Sequence, residues 1–124
     1  MEGIIASDEH LYRGLHKLWI EDDNSVSSAA FKDSGGVSVD RDGGREENEC
    51  VDRMVNALSK IEGVGKISCR DVESCDAVVE YNPTNDNEYH SLVKDSADQL
   101  VIKSKSKARK LASKCKIVYK KCTP

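Results

Sequence analysis

Only two stretches of this 124-residue chain carry apolar side chains at helical spacing, and Gly, Pro and Asn cut the remainder into apolar runs of strand length. In residues 45–60, Val51, Met54, Val55 and Leu58 fall at i, i+3, i+4 and i+7, and Glu46, Glu47 and Glu49 suit the positive end of a helix dipole. Gly63 and Gly65 follow as expected terminators. In residues 104–116, Ala108, Leu111, Ala112 and Cys115 share one face. Residues 11–20 read as a strand running into an irregular turn. Residues 26–31 (VSSAAF) and 37–41 (VSVDR) flank a Ser-Gly-Gly and read as a hairpin. Shorter strands are expected at 66–69, 77–81, 89–93 and 117–119, with a turn or helical piece at 71–75 and a loop at 82–87. No strand-helix-strand rhythm repeats, so the expectation is an α+β fold: a small, mostly antiparallel or mixed sheet with the two main helices packed on one face.

One domain spanning residues 1–124 is expected, with residues 1–10 as a flexible amino terminus; no internal repeat or linker marks a second unit. That acidic start lacks the charged opening and apolar run of a secretory signal, and no run is long enough for a membrane helix. A cytoplasmic protein with no membrane contact is the resulting expectation. Five cysteines, an odd number, read as reduced thiols. The spacings Cys69-x5-Cys75 and Cys115-x6-Cys122 miss those of zinc knuckles, so no metal is expected. Phosphate-binding and hydrolase signatures such as GxxxxGK[ST], GxGxxG, HExxH and GxSxG are missing as well, and no cofactor is called for.

Charge is sharply divided along the chain. Residues 101–124 hold nine Lys or Arg and no acid, a formal +9; the first hundred residues hold ten bases against all 22 acids, a formal −12. Lys103, Lys107, Lys110 and Lys114 fall on one face of the last helix and could follow a nucleic-acid backbone or dock a protein partner. Neutralisation of the acidic body is the simpler reading of the same stripe. Few aromatic residues are present to serve as stacking platforms for single-stranded nucleic acid.

Polar residues inside strand-like segments are the candidates for chemistry: Arg13, Ser27, Ser28, Ser38, Asp40 and Arg41. His90 opens the segment after a Pro- and Asn-rich loop, a setting that holds a reactive side chain rigidly, and is the best acid-base candidate. The order Tyr12-Arg13, Ser27-Ser28-Ala29-Ala30-Phe31, Ser38-Val39-Asp40 and Asn87-Glu88-Tyr89-His90 resembles a group of short, uncharacterised prokaryotic proteins sharing Tyr-Arg, Ser-Ser-x-x-Phe, Ser-Val-Asp and Asn-x-x-His. The resemblance spans roughly residues 11–115 and implies one site built from the polar strand residues and His90. Guanidinium, hydroxyl and imidazole groups together suit an anion. The expected function is therefore binding or processing of a phosphate-bearing ligand, a nucleotide or RNA. His90 and Arg13 would be the catalytic pair, with Ser27, Ser28, Asp40 and Arg41 as ligand contacts. The alternative is a non-catalytic module that binds protein or nucleic acid through the lysine stripe.

Overall fold

The computed structural model describes residues 3–121, so Cys122 lies outside the described residues. Six strands form one antiparallel sheet: β1 (His10–Leu15), β2 (Val37–Arg41), β3 (Gly63–Ser68), β4 (Val78–Tyr81), β5 (His90–Lys94) and β6 (Lys116–Lys120), in the order β4-β5-β2-β1-β3-β6. Three helices accompany it: α1 (Glu47–Ala57), α2 (Cys69–Ser74) and α3 (Lys105–Lys114). The α+β class follows. None of these helices is long and apolar enough to cross a membrane.

The helices cover both faces, which corrects the expectation that they share one. Alternation along β1 sends Leu11 and Leu15 to one side, into a cluster with Phe31, Val37, Val39, Ile67, Val93, Ala108 and Leu111. Tyr12 goes to the other side and packs with Cys50, Val51, Met54 and Val64 under α1. A central strand buried on both faces needs a cover on each, and α1 and α3 provide them.

Two further expectations change. Residues 26–31 do not form a strand: the Ser27 hydroxyl accepts a hydrogen bond from Ala29 N at 3.2 Å and caps a 3-10 turn at Ser28–Phe31. A local side-chain cap, followed by two alanines of weak strand preference, outcompetes sheet pairing there. The hairpin is consequently absent, and β2 pairs with β1 and β5. Residues 11–20 likewise divide, with β1 ending at Leu15 before a 3-10 turn at Lys17–Trp19. Gly63 and Gly65 do not end α1, whose last residue is Ala57. They lie within β3, where a Cβ at Gly63 would meet the Tyr119 carbonyl at 2.9 Å and one at Gly65 would meet Cys115 Sγ at 2.5 Å. These glycines permit close approach between layers. The stretch before β1 is tied to the body: Cys69 N donates to Glu9 O and Arg70 N donates to Ser7 O, each at 2.9 Å.

One irregularity in the sheet positions the site. β1 pairs with β3 along six residues, but with β2 only at Leu11–Arg41 and Tyr12–Asp40. Arg41 N donates to Tyr89 O on the β5 side and Asp42 N donates to His10 O on the β1 side, so Ser38 and Asp40 turn their backbone groups toward β1. Where the ladder stops, the side chain of Arg13 takes over. Its Nη1 donates to Ser38 O at 3.0 Å and its Nε to Ala30 O at 3.1 Å.

Candidate functional site

Beside this break, a cleft of about 620 Å³ runs between β2 and the carboxy-terminal end of α1. Met54, Ala57, Leu58, Ile61 and Trp19 supply an apolar wall; Ser38, Asp40, Arg53, Asn87 and His90 supply a polar one. Leu58, expected on the buried stripe of α1, is instead 46% exposed, because α1 has ended and the chain turns away at the cleft edge. Gly14 leaves room beneath it, since a Cβ there would lie 2.9 Å from Ile61 Cγ2 and 3.2 Å from Leu58 Cδ1.

The polar wall follows from sheet register. Ser38 and Asp40, two residues apart on β2, point to the same face, and Asp40 lies opposite His90 of β5. The imidazole reaches diagonally to Ser38, with Nε2 3.1 Å from its Oγ, while Nδ1 lies 2.8 Å from the Asn82 carbonyl. A carbonyl only accepts, so Nδ1 carries the proton, and in the neutral ring the Nε2 lone pair faces the serine hydroxyl. Asn82 in turn donates its N–H to His90 O at 3.0 Å, fixing the loop that supplies this carbonyl. Asp40 is only 4% exposed; it accepts from Asn87 Nδ2 at 2.7 Å and more loosely from Arg53 Nη1 at 3.4 Å. Arg53 also donates through Nη2 to Asp86 O at 3.0 Å.

Arg13 lines the cleft but is 6% exposed. Burial lowers its affinity for a proton, which the neighbouring Asp33 carboxylate partly restores from 3.5 Å. At that distance Nη2 is in an ion pair but makes no hydrogen bond. The Trp19 ring lies 4.8 Å from the guanidinium carbon and meets the His16 ring edge-on at 4.4 Å. Because Arg13 spends its aligned donors on two backbone carbonyls, it positions Ser38 and has no free fork with which to clamp a ligand.

The other candidates lie elsewhere. Ser27 and Ser28 line a separate hollow of about 360 Å³ with Glu21, Ser25 and Arg109, because the turn they begin replaces the expected strand. Arg41 points to the opposite face from Asp40: its Nε and Nη2 donate to the two oxygens of Glu9 at 2.7 and 2.8 Å, and its Cζ stands 4.7 Å from the Tyr81 ring centre. It therefore contributes to stability on that face and not to the cleft. Of the lysine stripe, Lys103 lies before α3, which the Ser104 cap starts at Lys105, so the helix itself carries only three of the four. Lys103, Lys110 and Lys114 are exposed. Lys107 is tied down, donating to Asp76 O at 2.7 Å and pairing with the Asp95 carboxylate at 3.0 Å. One of the four charges is thus spent on the acidic body.

Cys50, Cys69, Cys75 and Cys115 are free and buried. Burial pushes the Cys69 and Cys115 thiols up to about 12 and raises that of Cys50, so these three do not carry the thiolate of a reactive cysteine at neutral pH. Among the described residues no group of three His, Cys, Asp or Glu side chains is arranged to hold a metal.

Ser38, Asn87 and Arg53 complete the cleft, although sequence reading singled out only Ser38, and that as one polar strand residue among several. The Asn-x-x-His spacing was the one available signal for Asn87. Arg53 sits on the solvated side of a helix pattern and looks like any other surface arginine. No protein family, curated protein or solved structure matches the chain, so the functional reading rests on this geometry.

Proposed function

We propose that the protein binds a phosphate-bearing small molecule of the nucleotide class in this cleft, with Ser38 and His90 at its reacting end. The observation that carries the reading is the imidazole held between the Asn82 carbonyl and the Ser38 hydroxyl on the wall of a cleft large enough for such a ligand. The apolar wall, with Trp19, Met54 and Ile61, offers a surface for a base or another flat group. Arg53 and Lys60 supply positive charge. Charges along the cleft nevertheless balance, with Arg13, Arg53 and Lys60 against Asp33, Asp40 and Asp86. Affinity then comes from placed donors more than from a long-range field, and the loose Arg53–Asp40 contact is the one a phosphate displaces most easily.

An intracellular setting fits both a nucleotide ligand and four unpaired buried cysteines. Titration with a nucleoside monophosphate tests the reading through the fluorescence of Trp19, the only tryptophan in the chain and a wall of the cleft. Arg53→Ala should weaken binding about tenfold, equivalent to about 1.4 kcal/mol. A fluorescence signal that does not respond to the nucleotide, or a curve unchanged in both Arg53→Ala and His90→Ala, refutes it.

A further inference from the structure

Resting on that reading, we propose that Ser38 is a nucleophile and His90 its general base, so that the cleft transfers a phosphoryl group through a covalent Ser38 intermediate. Three features that this chemistry requires meet at one point. The hydroxyl is exposed within the cleft, Nε2 lies 3.1 Å from Oγ, and the Asn82 carbonyl holds the ring in the tautomer that accepts the serine proton. Ser38 is also held from behind, through the Arg13 hydrogen bond to its carbonyl, at the point where β1 and β2 cease to pair. Asn87 and Arg53, which donate to Asp40 one pleat further along β2, are the donors available to the charge that develops at phosphorus.

In the first step Oγ attacks phosphorus and the Oγ–P bond forms while the bond from phosphorus to the leaving oxygen breaks. His90 takes the Oγ proton and returns it to that leaving oxygen. In the second step water attacks the phosphoserine, His90 accepts the water proton, the Oγ–P bond breaks, and the proton returns to Ser38. No redox partner is involved. The apolar wall suits a substrate whose leaving group carries a flat base. Asn82 presents a neutral carbonyl where serine-histidine-acid sites present a carboxylate, so the imidazolium formed in each step is less stabilised and turnover is expected to be slow.

The test is covalent capture with diisopropyl fluorophosphate, in which Oγ–P forms and fluoride leaves, read by intact mass and peptide mapping. The expected result is a gain of one diisopropylphosphoryl group on the peptide holding Ser38, none in Ser38→Ala, and labelling at least about a hundredfold slower in His90→Ala. His90→Gln retains an amide able to donate to the Asn82 carbonyl and guards against a folding artefact; it should label as slowly as His90→Ala. No label, a label on another residue, or His90 variants that label as fast as wild type would overturn the proposal. The Trp19 titration separates the two claims. A protein that binds the nucleotide but resists the reagent loses the nucleophile and keeps the binding reading, whereas one labelled at Ser38 with no Trp19 response loses the binding reading.

Discussion

Replacing Arg13 with Met keeps a long side chain of similar shape but removes the guanidinium that bridges Ala30 O and Ser38 O. A buried carbonyl left without a donor costs about 1–3 kcal/mol. Ala30 is fully buried and sits at the upper end of that range; Ser38 is exposed, so water can reach its carbonyl and the cost there is about 1 kcal/mol. Losing the contact with Trp19 adds about 0.5–1 kcal/mol. The Asp33 ion pair contributes little, since that carboxylate is substantially exposed. Relief from burying a charge offsets part of the sum. The net expectation is a loss of about 3 kcal/mol, or roughly 10 °C in Tm for a domain of this size. Thermal unfolding followed by circular dichroism measures it. Arg13→Lys should fall between wild type and Met, because an ammonium keeps the charge but lacks the planar fork that reaches both carbonyls. If Arg13→Met unfolds within about 2 °C of wild type, the view of Arg13 as the replacement for the missing β1–β2 ladder is wrong.

The remaining predictions concern the two faces of the sheet. Burial alone would raise the Glu9 carboxyl, but hydrogen bonds from Arg41 and Gly43 N, with the Arg41 charge, hold it below its ordinary value. A depressed carboxylate stabilises the fold above its unfolded pKa and loses that contribution as pH falls through its folded one. Glu9→Gln should therefore be less stable than wild type at pH 7, with the gap closing in acid; a gap that is constant with pH in urea titrations would contradict the pairing. Gly65→Ala drives a Cβ into Cys115 Sγ and should cost about 1–3 kcal/mol. Adding Cys115→Ala should return part of that loss in a double-mutant cycle, and strict additivity would count against the clash. Native Cys69 and Cys115 should resist iodoacetamide at pH 8 and react promptly in urea, as peptide mass spectrometry would show.

Helical periodicity was the most legible part of this chain. Ala108, Leu111 and Ala112 lie buried on α3 as their spacing requires, and Val51 and Met54 lie buried on α1. The run VSSAAF was misleading because strand propensity there is weak, and the Ser27 cap gains a local hydrogen bond at less entropic cost than a distant strand pairing. Arg41 and Asp40 are adjacent in sequence, yet one faces Glu9 and Tyr81 and the other the cleft, because alternation separates neighbours on a strand. Ser38 and His90 are 52 residues apart, and no local pattern connects them.

By itself, then, the sequence determined the α+β class, the two amphipathic helices and the polar residues available for chemistry. All of these depend on side-chain type and short-range spacing. Tertiary structure alone decided which strands pair, that helices cover both faces of the sheet, and that β1 and β2 part where Arg13 bridges them. It also selected Ser38, Asp40 and His90 for one wall of the cleft while sending Ser27, Ser28 and Arg41 elsewhere. Those outcomes depend on register and long-range packing, where a shift of one residue reverses every side chain in a strand.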